Sequence, residues 1–177
     1  MLTTVFRLLA KARDGRAPHP RGLRTTGELR GTAPFPETAT VVVCLTEHTG
    51  KPEVLSLALR VPTESGDWDL LLSSTGTGKR TRLLPKFVRR WEDARLGTLT
   101  PYRHRGELVW FMAVPDGGEP PTRFTLHASG KDAEWRQVAA VTLNPQNGDA
   151  PPPAFDPALN RPPDVEPAPR RRGLQES

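Results

Sequence analysis

The sequence has few of the residue types on which common active sites depend. It holds one cysteine and one tyrosine in 177 residues, and aromatic residues make up 6%. A single cysteine excludes an internal disulfide and a thiolate cluster, which favours a reducing compartment such as the cytoplasm. The four histidines, His19, His48, His104 and His127, have no paired spacing, so a zinc site is not expected.

Long apolar runs are also missing from the sequence. No stretch approaches the roughly 20 residues that cross a bilayer, so no transmembrane segment is expected. The start, MLTTVFRLLAKAR, has basic residues inside its apolar run and no small-residue cleavage site after it, which argues against a signal peptide. Its apolar residues recur at helical spacing, which predicts a short amphipathic arm over residues 1–16.

Positive charge is in excess, with a formal net charge of +5 and a pI near 10.0. Such a balance serves anionic partners, but nucleic-acid binding is not expected because aromatic platforms and a known motif are absent. Residues 74–81 (STGTGKRT) resemble a phosphate loop only superficially, since the first glycine is missing and Arg80 replaces the magnesium-binding Ser or Thr. Whether the chain forms an oligomer stays open.

The middle of the chain has the periodicity of strands. Apolar alternation or β-branched runs cover residues 39–46, 55–61, 107–114, 122–128 and 135–143. This pattern predicts an α+β, mainly β fold: an antiparallel β-barrel over residues 17–144 with a short N-terminal helix and one helical insertion. The insertion is predicted at residues 83–95, where Leu84, Phe87, Val88 and Trp91 recur at helical spacing.

Residues 145–177 are rich in Pro, Asp, Asn and Arg, and they contain few apolar residues. Such a segment buries little area, so we expect an extended or disordered tail. Ala154 and Phe155 are its predicted anchor.

Three segments together resemble one family. LALRVPTESGDWDL (57–70) is similar to a haem-pocket strand, its turn and its return strand with Trp68. Arg16, His19, Gly22 and Gly27 have the spacing of an Arg-x-x-His-x-x-Gly-x-x-x-x-Gly segment. Residues 138–145 and 154–167 look like the stretch before a proximal helix. The family is the catalase-like superfamily, of which this chain resembles a short, divergent form that lacks the proximal tyrosine helix.

The resemblance implies a haem cofactor and roles for particular residues. It implies that Arg16 contacts a haem propionate and that His19 acts as general acid and base over the iron. It also implies that Val43 and Trp68 line the haem pocket. Ser73 and Ser74 stand where the family has its pocket asparagine, and Ser74 is assigned that role. A second propionate arginine of the family falls on Cys44, which is more typical of a small core residue than of a ligand.

The axial ligand is the weakest part of the resemblance. Catalase iron is held by a tyrosine oxygen, and Tyr102 is the one tyrosine here. It precedes a predicted strand pair, which is not the family's ligand position, so a tyrosine at an interface or rim is the favoured alternative. The sequence ends, at RRRGLQES, about where the ligand helix would begin.

Two functions are consistent with these features of the sequence. The first is haem binding with little or no catalase turnover and weak handling of hydrogen peroxide or an organic peroxide. The second is a haem-free binding or structural domain that retains the barrel and uses its cavity or its basic surface for another partner. The cavity is predicted to be lined by Val41, Val43, Leu57, Leu59 and Trp68.

Overall fold

The computed structural model describes residues 22–46, 50–145, 155, 160 and 165–167. Within these residues, antiparallel strands dominate and helical structure is limited to two 3-10 turns. The strands are β1 (Gly22–Gly31), β2 (Thr38–Thr46), β3 (Ser56–Thr63), β4 (Gly66–Ser74), β5 (Leu96–Gly97), β6 (Tyr102–His104), β7 (Glu107–Pro115), β8 (Arg123–Ser129), β9 (Arg136–Leu143) and β10 (Val165–Pro167).

Eight of these strands close into a barrel. Going round the barrel, the order is β1, β2, β3, β4, β5, β7, β8 and β9, and β9 pairs again with β1. β6 pairs with β7 outside this ring, and β10 pairs with β6. Closure leaves few unpaired strand edges. The predicted antiparallel, mainly β barrel is therefore confirmed, while the predicted N-terminal helix lies outside the described residues.

The interior of the barrel is filled by side chains from alternate strand positions. Val41, Val43, Leu57, Leu59 and Trp68, the residues predicted to line a cavity, are at most 1% exposed and belong to one contiguous hydrophobic core. The Trp68 ring stacks on Phe35 at 4.8 Å and meets Phe111 edge-on at 5.6 Å. An eight-stranded barrel is just wide enough for side chains to fill, so these residues form a packed core.

Gly27 allows the close contact between β1 and β9. A Cβ atom at this position would lie 2.9 Å from the Thr142 carbonyl oxygen and 3.0 Å from Val141 Cγ1. β1 pairs with β2 on one side and with β9 on the other, so any side chain at Gly27 would push β9 away. This glycine of the family-like segment is required by the packing of the barrel.

The helical insertion predicted at residues 83–95 is not a continuous helix. The segment has single 3-10 turns at Thr81–Leu83 and Trp91–Asp93, with extended backbone at Leu84 and Arg90. Hydrogen bonds to other parts of the backbone replace the helical ones. Val88 and Glu53, for example, exchange two backbone hydrogen bonds of 2.9 and 3.0 Å. These tertiary contacts override the helical spacing of the apolar residues.

Parts of the predicted tail contact the barrel. Phe155 is 3% exposed and packs on Cys44 and Ala58. β10 pairs with β6, and Asn160 hydrogen bonds to Asp69. The division into a barrel domain and a tail remains a prediction. Among the described residues, no helix has the length and apolar character needed to cross a membrane.

Candidate functional site

The residues named by the family resemblance lie on two different faces of the barrel wall. Successive side chains of a strand point to opposite faces. Val43 and Trp68 belong to the interior core, while Cys44 packs outside it with Phe155. Arg16 and His19 lie outside the described residues.

Ser74 connects β4 to two other parts of the backbone. Its side chain is fully buried, its hydroxyl donates to the Lys86 carbonyl oxygen at 2.6 Å, and it accepts from the Leu55 amide at 3.1 Å. A hydroxyl has one proton to donate, and that proton is used here. Ser74 therefore has no donor left for the ligand contact that the resemblance implies.

A row of hydroxyl side chains, formed by Ser73, Ser56 and Thr46, crosses the outer face of the barrel next to Ser74. Ser73 shares this face with Leu71, and its Oγ lies 3.2 Å from Ser56 Oγ. Ser56 in turn donates its amide proton to Thr46 Oγ1 at 2.9 Å. The row ends at Gly22 of β1, which pairs with Thr46. Strand alternation counted from Trp68 predicts that Ser73, not Ser74, faces outward, so this signal was present in the sequence.

An apolar outer patch adjoins this row. It consists of Val42, Cys44, Ala58, Leu71 and Phe155. Cys44 is 2% exposed, and burial raises the pKa of its thiol, an effect that the nearby Arg24 charge opposes. The thiolate is the form that binds metal, so a neutral Cys44 is a poor ligand at neutral pH. It also supplies no positive charge where the resemblance places an arginine.

A charged network borders the outer patch. The Arg60 guanidinium donates from Nε and Nη2 to the two Asp69 carboxylate oxygens, both at 2.8 Å. Asn160 Nδ2 donates to Asp69 Oδ2 at 2.8 Å, and the Asp69 amide donates to the Asn160 carbonyl oxygen at 2.8 Å. Arg60 also lies over the Phe155 ring at 5.4 Å. The hydrogen bond to Asp69 raises the pKa of Arg60. Together these contacts attach residues 155 and 160 to β3 and β4.

Tyr102 lies inside the barrel and not at its rim. It is 5% exposed, and its ring is 6.1 Å from Trp68 and 5.8 Å from Phe111. Burial raises the pKa of the phenol far above its ordinary value, and the contact with Trp68 offsets this only in part. Iron ligation by tyrosine needs the phenolate oxygen, which this environment strongly disfavours.

The described residues do not fit a haem group. Val43, Trp68 and Tyr102 are part of a packed core, and the hydroxyl proton of Ser74 is used by the main chain. Phe155 covers Cys44 on the outer face. Within the described part of the chain, no group of three or more His, Cys, Asp or Glu side chains is placed to hold a metal ion.

Comparison with known proteins shows the fold. No family model and no curated protein matches the chain. Among solved structures, catalase A from Saccharomyces cerevisiae matches with a TM-score of 0.63 and 11% identity, over 86% of this chain and 57% of that one. A fungal catalase matches with a TM-score of 0.63 and 11% identity, over 86% of this chain and 55% of that one. A bacterial catalase matches with a TM-score of 0.60 and 13% identity, over 96% of this chain and 57% of that one. The chain has a catalase-like barrel and spans little more than half the length of these catalases.

Proposed function

We propose that this protein is a haem-free binding domain that retains the catalase-like barrel. The observation that carries the proposal is the outer patch, where the Phe155 ring covers Cys44 and Ala58. The resemblance assigns a cationic haem-pocket residue to position 44, and a neutral, buried thiol stands there. A haem edge at this face would have to displace Phe155 and would find no charge at Cys44 to bind its propionate.

The retained motif residues are consistent with this proposal. Gly27 permits strand contact, Trp68 fills the core and Asp69 joins Arg60 to Asn160. Each of these positions has a role in folding that requires no cofactor. A protein that had lost haem would keep these residues, because the barrel still depends on them.

Haem binding with little or no catalase turnover is the second candidate function. The observation that favours it is the similarity of the barrel to catalases over 86% of the chain, together with the spacing of Arg16, His19 and Gly22. In this case Arg16 would contact the propionate and His19 would line the distal face. The partners would be haem and hydrogen peroxide or an organic peroxide. Tyr102 and Cys44, the two residues weighed as iron ligands, are both buried.

A haem titration separates the two candidates. Purified protein is titrated with hemin while absorbance near 400 nm is recorded, and Arg16→Ala is compared with Arg30→Ala, an equal charge loss on the barrel. We expect no saturable one-to-one binding and no difference between the two variants. Stoichiometric uptake that Arg16→Ala weakens and Arg30→Ala leaves unchanged would overturn the haem-free proposal.

A further inference from the structure

Exposed apolar side chains of the described residues concentrate in one loop between β4 and β5. Leu83 is 42% exposed, Leu84 is 60% exposed and Phe87 is 52% exposed. Single exposed apolar residues are ordinary on protein surfaces, whereas a cluster of them marks a contact site. These three residues lie within five positions of one another on a single loop.

The same loop is strongly basic. We call residues 76–91 (GTGKRTRLLPKFVRRW) the basic loop, and this segment contains no Asp or Glu. Its cations are Lys79, Arg80, Arg82, Lys86, Arg89 and Arg90, of which all but Arg82 are exposed. Lys79 and Arg80 precede the apolar residues, and Lys86 lies between Leu84 and Phe87. Apolar and cationic groups therefore alternate along one short stretch of surface.

The basic loop is fixed to the barrel at several points. Arg82 is 4% exposed, its guanidinium lies 3.5 Å from the centre of the Trp110 ring, and it donates to the Gly130 carbonyl oxygen at 2.8 Å. The Lys86 amide donates to the Ser74 carbonyl oxygen at 2.7 Å. With the backbone held in this way, Leu84 and Phe87 are presented to solvent in a set geometry. A preorganised surface loses less entropy when it binds.

Charge and shape together define the partner. Leu84 and Phe87 are too exposed to line a groove for a peptide. A second copy of the chain would bring like charges together, because an isologous interface sets the same patch against itself. An anionic bilayer surface matches both the cations and the exposed apolar side chains of the loop. Its headgroups attract Lys and Arg, and its interfacial region accepts Leu and Phe.

We propose that the basic loop binds anionic lipid bilayers. Leu84 and Phe87 enter the headgroup region, and Lys79, Arg80 and Lys86 contact anionic headgroups. The inference goes beyond the function proposed above and does not depend on the outcome of the hemin titration. Vesicle binding is measured on protein without added haem, so either proposal can fail while the other stands.

The test is sedimentation of the full chain with vesicles of phosphatidylcholine alone or with about 30% phosphatidylserine. Two loop variants are compared, Leu84→Ser/Phe87→Ser and Lys79→Ser/Arg80→Ser. The matched control, Arg30→Ser/Arg103→Ser, removes two exposed cations outside the loop. We expect binding only to the anionic vesicles, weakened by 0.5 M salt. The cation variant should lose about 25-fold in partition coefficient, which corresponds to roughly 1 kcal/mol for each charge.

The apolar variant should lose at least about tenfold, and the control should bind like the parent. All these substitutions are at exposed positions, and circular dichroism checks that each variant is folded. Equal binding to both vesicle types, no binding, or an equal loss in the control would overturn the proposal. Two further measurements test the rival partners. Fluorescence anisotropy of labelled poly-glutamate detects binding of an acidic peptide, and sedimentation velocity detects a dimer of the chain. Loop-dependent peptide binding or dimerisation without vesicle binding would replace the bilayer by those partners.

Discussion

Replacement of Asp69 by alanine should destabilise the protein strongly, because it removes the centre of the network beside the outer patch. The Asp69 carboxylate is fully buried and accepts charge-assisted hydrogen bonds from Arg60 Nε, Arg60 Nη2 and Asn160 Nδ2. Hydrogen bonds to charged groups contribute roughly 1.5–3 kcal/mol each. The Arg60 side chain is 21% exposed and can partly regain water, so we expect a net loss of about 3 kcal/mol.

Urea denaturation measures the loss in free energy of unfolding. A double-mutant cycle measures how much of that loss comes from the Asp69–Asn160 contact. Asn160→Ala should lose about 1.5 kcal/mol, and the Asp69–Asn160 coupling energy should be about 1–2 kcal/mol. Glu64→Ala is the control, because Glu64 is an exposed carboxylate in the turn between β3 and β4; its effect should stay within about 0.5 kcal/mol. An Asp69→Ala loss below about 1 kcal/mol, or one equal to the control, would refute the assigned role of the network.

Three other changes test further parts of the structure. Arg82→Ala removes the buried guanidinium and should cost about 3 kcal/mol in urea denaturation; a loss below about 1 kcal/mol would contradict its anchoring role. Ser74→Ala should cost about 2 kcal/mol because the buried Leu55 amide and the partly buried Lys86 carbonyl oxygen lose a partner, whereas Ser73→Ala should change stability by less than about 0.5 kcal/mol. Because burial raises its pKa, the Cys44 thiol should react slowly with a disulfide reagent at pH 8, and Phe155→Ala should accelerate labelling at least about tenfold; equal rates would show that Phe155 does not cover the thiol.

The barrel could be predicted from the sequence because its strands follow simple period-two patterns. Leu55, Leu57, Leu59 and Val61 alternate in the sequence, and all four are at most 1% exposed in the structure. Hydrophobic alternation depends only on which face of a strand is buried, so a single sequence contains the information. The order of the strands round the barrel requires long-range pairings that periodicity does not encode, so the sequence predicted a barrel but not this order.

The basic loop could not be predicted correctly from periodicity. Leu84, Phe87, Val88 and Trp91 have helical spacing, but Val88 and Trp91 are buried whereas Leu84 and Phe87 are exposed. The deciding interactions are backbone bonds from Val88 to Glu53 and from Lys86 to Ser74. Partners this distant in sequence leave no local signal. The burial of Tyr102 inside the barrel depends in the same way on contacts with Trp68 and Phe111.

Sequence motifs of a family combine residues required by the fold with residues required by its chemistry, and this chain separates the two. Gly27, Trp68 and Asp69 match the family pattern, and each has a structural role in strand contact, core packing or the Asp69 network. The resemblance implies a charge at Cys44 and an amide at Ser73 or Ser74, the latter assigned to Ser74. Cys44 lies in a covered apolar patch, Ser73 belongs to a row of hydroxyls, and the Ser74 hydroxyl proton is used by the main chain. Retention of the first set predicts a barrel; the departures at the second set argue against haem chemistry. The strength of a motif match is therefore a guide to fold here, and the hemin titration is what decides whether the chain binds haem.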